Sequence, residues 1–146
     1  MTKPLVSVLL LVIVVVMCCL EHRAQSVPAS VRRDITNQLK RLAPHCAGQY
    51  ASISIDVVKV GPRKYGYIGD CRYGGGPSIL VEKTPKGIRQ LLTVDVGMNG
   101  YFYPEKTAHN GYYDMAHTER SGEEVFLTVY RWNGSRYVAQ REQQVR

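Results

Sequence analysis

The stretch Glu124-Val125-Phe126-Leu127-Thr128-Val129-Tyr130-Arg131-Trp132, followed by Asn133-Gly134-Ser135-Arg136-Tyr137, decides the reading of this chain. β-Branched and aromatic residues fill the run, and turn residues bound it: Ser121-Gly122 before and Asn133-Gly134 after. It reads as a strand with Val125, Leu127 and Val129 on one face and Phe126, Thr128 and Tyr130 on the other. Asn133-Gly134 is the strongest two-residue hairpin signal here, so Arg136 to Gln140 should return antiparallel. The polar tail beyond Gln140 should fray.

The same period-two pattern extends backwards. Ala51 to Val57 alternates, Gly61-Pro62 turns, and Lys64 to Ile68 makes a short aromatic strand. Gly74-Gly75-Gly76-Pro77 reads as a loop, Ser78 to Lys83 and Ile88 to Val96 as a hairpin about Pro85-Lys86-Gly87. Tyr101-Phe102-Tyr103 is a brief strand ended by Pro104, with a polar loop over 105–111 and a further strand over 112–117. Only Pro28 to Leu42 changes period. There Val31, Ile35, Leu39 and Leu42 form one apolar stripe, Ser26 or Ser30 is available as a cap, and Pro44 stops the helix. The fold class is therefore mainly β: an N-terminal helix followed by an antiparallel meander of short strands, as a small sheet stack, partial barrel or propeller-blade-like arrangement. The expected core includes Ile35, Leu39, Ile53, Ile55, Leu80, Leu91, Leu127 and Val129, with Trp132 at a sheet edge.

Residues 1–26 read as a bacterial-type secretory signal peptide: Lys3, an apolar run from Leu5 to Leu20, and small residues at Ala24 and Ser26 before the expected cleavage. The run is long for a signal peptide and short for a membrane span, which leaves open a membrane anchor through residues 5–20. Lipid attachment at Cys18 or Cys19 is disfavoured by the bulk of Met17. Residues 27–146 form one small helix-plus-β domain, expected in the periplasm or secreted. Removing Lys3, Arg23 and Glu21 from 19 basic and 12 acidic residues leaves 17 and 11, a net charge of +6. Such a charge attracts anionic envelope polymers or an acidic protein; nucleic acid is not an expected partner outside the cytoplasm. Cys46 and Cys71 should pair, closing a loop of 24 residues worth about 3 kcal/mol. The competing reading is a thiol at Cys46 activated by His45.

Chemistry-bearing patterns are sparse. The chain has no His-Glu-x-x-His, no Cys-x-x-Cys and no Gly-x-Ser-x-Gly elbow, and no metal ligand set or cofactor is expected. The glycines at 74–76 lead into a strand rather than a Lys-Ser/Thr and a helix, unlike a phosphate loop. His109, Asp114 and His117 are the candidate acid and base groups if the protein is a small hydrolase of envelope polymers. Aromatic and basic residues interleave at Arg72, Tyr73, Tyr112, Tyr130, Arg131 and Trp132, a composition suited to stacking sugars and pairing anionic groups. These six are the expected binding surface of a non-enzymatic module that recognises or inhibits an envelope polymer or protein. Asn110-Gly111-Tyr112-Tyr113-Asp114-Met115 resembles the end of the calcium loop of FG-GAP-type propeller repeats, although Lys106 and Ala108 occupy the first two ligand positions. In its order of elements from Cys71 to Tyr137, the chain also resembles small secreted bacterial β-rich proteins of unassigned function. That resemblance implies an exported β domain and carries over no functional residue.

Overall fold

A computed structural model describes residues 26–48, 52–72, 75–97 and 100–145. Helix α1 (Ala29–Leu42) and a 3-10 turn (Pro44–Ala47) precede eight strands: β1 (Ser52–Gly61), β2 (Lys64–Arg72), β3 (Pro77–Thr84), β4 (Gly87–Asp95), β5 (Tyr101–His109), β6 (Tyr112–Ser121), β7 (Glu124–Trp132) and β8 (Tyr137–Gln144). The strands make two four-stranded antiparallel meanders, β1-β2-β3-β4 and β5-β6-β7-β8. The expected sheet stack is therefore the architecture, with the helix as a third layer. The predicted signal peptide lies outside the described residues, apart from Ser26. No helix among the described residues is long and apolar enough to cross a membrane.

Two apolar layers hold the stack together. Between α1 and the first sheet lie Val31, Ile35, Leu39, Ile79 and Val81, with Ile53, Ile55 and Tyr67 at the margin. The helix approaches closely because β2 offers Gly69 beneath it: a Cβ there would collide with the Ile35 Cγ2. Between the sheets lie Val60, Ile68, Leu80 and Leu91 from the first, and Tyr112, Met115, Trp132 and Tyr137 from the second. The disulfide Cys46–Cys71, with Cα atoms 5.4 Å apart, ties the turn after the helix to the end of β2.

Several expectations change. Pro28, not a serine, occupies the N-cap, and no side chain caps the helix; Ser30 lies within its first turn. Leu42 is 54 % exposed, because the helix ends there and its side chain passes the edge of the sheet contact. Leu127 and Val129 are only half-buried. Cross-strand register sets Tyr130 opposite the buried Met115, so alternation turns Tyr130 and Trp132 toward the first sheet and Leu127 and Val129 outward. Both faces of β7 are apolar, and the aromatic face won the core because it fills the inter-sheet gap. Trp132 accordingly sits in that core, 4 % exposed, 4.4 Å from Tyr112 and 5.2 Å from Tyr137 between ring centroids.

Residues 105–109 of the expected 105–111 loop are instead strand. β5 runs through Pro104 to His109, since an edge strand tolerates a residue without an amide hydrogen; its register with β6 slips between Pro104 and Ala108. The two-residue turn with positive φ at both positions is Asn110-Gly111 (51° and 80°), not Asn133-Gly134. Asn133 instead folds a four-residue loop around its own Oδ1, which accepts from the amides of Ser135 and Arg136 at 3.0 Å. Strand β8 continues to Gln144, so the tail expected to fray past Gln140 is paired with β7.

The Gly69 contact yields a test. Gly69→Ala is expected to lower stability by about 1–3 kcal/mol through overpacking. Ile35→Ala removes the methyl that collides, so the double variant should cost less than the two single changes summed, as measured by urea unfolding. Simple additivity would mean that the helix does not seat on Gly69.

Candidate ligand-binding cleft

The residues expected to form a binding surface do not share one. Tyr112 and Trp132 are buried between the sheets, 3 % and 4 % exposed, so their rings are unavailable to a ligand. Tyr130 is half-buried against the same core, and only Arg131 stands exposed. Tyr73 and the side chain of Arg72 lie outside the described residues. Basic and aromatic groups do interleave, but inward. The Lys64 ammonium sits 4.0 Å over the Tyr112 ring and the Arg89 guanidinium 5.5 Å from the Trp132 ring. Arg89 donates to Glu82 Oε1 at 2.5 Å and to the Tyr112 hydroxyl at 2.6 Å; that hydroxyl donates to Glu82 Oε2 at 2.8 Å. The network closes one margin of the inter-sheet core, where cationic stems cover aromatic rings. The Tyr137 hydroxyl donates to the Tyr113 carbonyl at 2.8 Å, and burial raises its pKa well beyond the usual tyrosine value, so it remains a donor.

The candidate acid and base groups separate into two neighbourhoods. Asp114, buried in β6, receives His109 Nδ1 at 2.8 Å and faces Arg131 Nε at 3.6 Å. A buried carboxylate requires such partners, and here two groups able to carry positive charge supply them. His117 does not join this pair. It is 7 % exposed, its cross-strand neighbours are Phe102 and Thr128, and its nearest acidic groups are Glu119 and Asp95. Its Nε2 is buried without a hydrogen-bond partner. Burial lowers its pKa below the usual 6.5, against the opposing pull of Glu119 and Asp95.

The concave feature of the molecule lies elsewhere. Where hydrogen bonding breaks between β4 and β5, the two sheets part and leave an open cleft of about 710 Å³. Asp70 and Cys71 from the end of β2, Gly75, Gly76 and Ser78 leading into β3, Val96, Gly97 and Gly100, and Tyr101 and Phe102 from β5 line it. The Val96 amide donates to the Gly76 carbonyl at 3.2 Å, which extends the β3–β4 ladder one step beyond Pro77 and Asp95 along the first-sheet wall. Ser78 Oγ donates to Asp70 Oδ1, which orients that carboxylate in the wall. The Tyr101 ring is 72 % exposed at the mouth. Aromatic surface, an oriented carboxylate and glycine backbone thus converge in a volume typical of small-molecule sites.

Sequence reading missed this cleft because its walls come from segments about 25 residues apart that only the sheet break brings together. One local cue existed: glycine recurs at 75–76 and again at 97 and 100, on either side of the β3–β4 hairpin.

His117 supplies a pH test. A folded-state pKa below the unfolded value means that His117 favours the fold fully above pH 6.5, and that this contribution is lost as pH falls through the lowered value. The melting temperature should therefore drop between pH 6.5 and 5 more steeply for the native chain than for His117→Phe; parallel curves would exclude His117 as the titrating group.

Comparison with protein-family models, with curated proteins and with solved structures finds no match for this chain.

Proposed function

We propose that the protein is an exported, non-enzymatic binding module that seats a glycan segment of an envelope polymer in the cleft between its sheets. The observation that carries this reading is the composition of the cleft. An exposed Tyr101 ring suits the C–H face of a sugar, the Asp70 carboxylate suits its hydroxyls, and glycine backbone at Gly75, Gly76, Gly97 and Gly100 offers peptide groups to it. Exposed Arg32, Arg33, Lys40, Arg41, Lys83 and Lys86 spread positive charge over the helix and a hairpin turn, which favours approach to an anionic polymer. Export follows from the N-terminal segment, and mature protein beginning near Val27 is its expected product.

Titration of chitotetraose into the protein tests the seat. Tyr101→Ala should weaken binding roughly tenfold, which corresponds to about 1.4 kcal/mol. Asp70→Asn should weaken it in the same direction, whereas Tyr103→Ala, on the same strand but outside the cleft, should leave it unchanged. Equal effects of Tyr101 and Tyr103, or no binding of chitotetraose and of isolated cell-wall polymer, would overturn the reading.

A further inference from the structure

One wall of the cleft carries a donor set that glycan binding does not use. His45, Cys46 and Cys71 meet where the 3-10 turn abuts the end of β2, and one ligand atom from each lies within 4.8 Å of the other two. Cys71 lines the cleft directly, and Cys46 is buried behind it. In this structure the two sulfurs are bonded to each other. The imidazole is already oriented: His45 Nε2 lies 2.8 Å from the Gly75 carbonyl. A carbonyl oxygen only accepts, so Nε2 is the donor in this contact, and Nδ1 is the ring nitrogen left for a metal. Metal-ligating histidines are commonly held this way, by a backbone acceptor on the other ring nitrogen. Gly76, whose φ of 151° favours glycine, brings its backbone against the cluster: a Cβ there would lie in ordinary contact with His45 Nε2 at 3.5 Å and Cys46 Sγ at 3.6 Å.

We propose that, once the disulfide is reduced, His45, Cys46 and Cys71 bind one thiophilic divalent cation of zinc's chemistry, leaving a fourth coordination position open to the cleft. Two thiolates and one imidazole make a donor set that zinc accepts with three protein ligands and one exchangeable position. Reduction transfers two electrons and two protons to the cystine and gives two thiols, while a dithiol reductant is oxidised to its own disulfide. Binding then releases both thiol protons to solvent as the sulfurs ligate. With metal–sulfur bonds of about 2.3 Å, the tetrahedral sulfur–sulfur separation is about 3.8 Å. Side-chain rotation reaches that separation with the Cα atoms 5.4 Å apart.

The test uses the full chain carrying Cys18→Ser and Cys19→Ser, so that only the Cys46–Cys71 pair supplies thiols. It is reduced with a phosphine, which takes up oxygen from water as the phosphine oxide, freed of reductant without air, and titrated with Co²⁺. The reduced chain should bind one equivalent, with thiolate-to-cobalt charge-transfer absorption and the visible bands of a tetrahedral site, and Zn²⁺ should displace it. The oxidised chain should show neither band. His45→Ala should weaken binding by at least about tenfold, Cys71→Ser should abolish the charge-transfer band, and Tyr101→Ala should change neither. Circular dichroism follows the sheets throughout. A reduced, folded chain that shows no cobalt spectrum would overturn the proposal. So would His45→Ala binding as tightly as its parent, or a reduced chain that unfolds and is not restored by Co²⁺. Each outcome is read without reference to glycan binding.

Discussion

The aromatic contact of Tyr112, Trp132 and Tyr137 with Val60, Ile68, Leu80 and Leu91 is what makes one body out of two meanders. Each sheet alone is four strands that leave the apolar face of this contact open, and neither closes on itself. Their union depends on burying that face, and rings fill the gap between sheets with few side chains. The polar fringe of Lys64, Arg89 and Glu82 follows from the same demand. Ring edges and hydroxyls at the margin of the layer need partners, and long cationic side chains provide them while covering apolar surface. Residues suited to a ligand by composition were consumed in holding the protein together.

This explains what could and could not be read in advance. The bounds of β7, the hairpin of β3 and β4, and the helical stripe of Val31, Ile35 and Leu39 follow from local periodicity, which a single stretch displays. The inward face of β7 does not follow, because Val125, Leu127 and Val129 are as apolar as Phe126 and Tyr130; the choice rests on what the opposing sheet presents. The strand through Pro104 was hidden by a residue that ends interior strands but not edge strands. Asn110 and Asn133 carry the same dipeptide, and only the spacing of the flanking pairs decides which adopts the two-residue turn. The disulfide was legible because two cysteines follow the expected cleavage site; its neighbourhood with Gly75 and Gly76 was not, since it is made by folding.

The break between β4 and β5 has two results of opposite kind. It costs the hydrogen bonds that would have joined the sheets at that margin, and it creates the concave surface of the molecule. Glycine is required on both sides of this break: Gly97 has a φ of 63°, and a Cβ at Gly100 would collide with the carbonyl oxygens of Val96 and Thr118. The cleft is therefore located where the meander is interrupted rather than on the strand faces, and the disulfide anchors one side of that interruption to the turn after the helix.

The slipped register of β5 bears on how the chain behaves in company. An edge strand presents a row of free amides and carbonyls to which a neighbour's strand can add. In β5, Pro104 removes one donor from that row, and the residues between Pro104 and Ala108 displace the spacing of the rest. A second chain approaching that edge meets a ladder with a missing rung and an uneven pitch. At the opposite edge, β8 offers Gln140, Glu142, Gln143 and Gln144 rather than an apolar strip. Both margins of the second sheet thus offer a neighbouring strand an interrupted or polar edge rather than a flat apolar one.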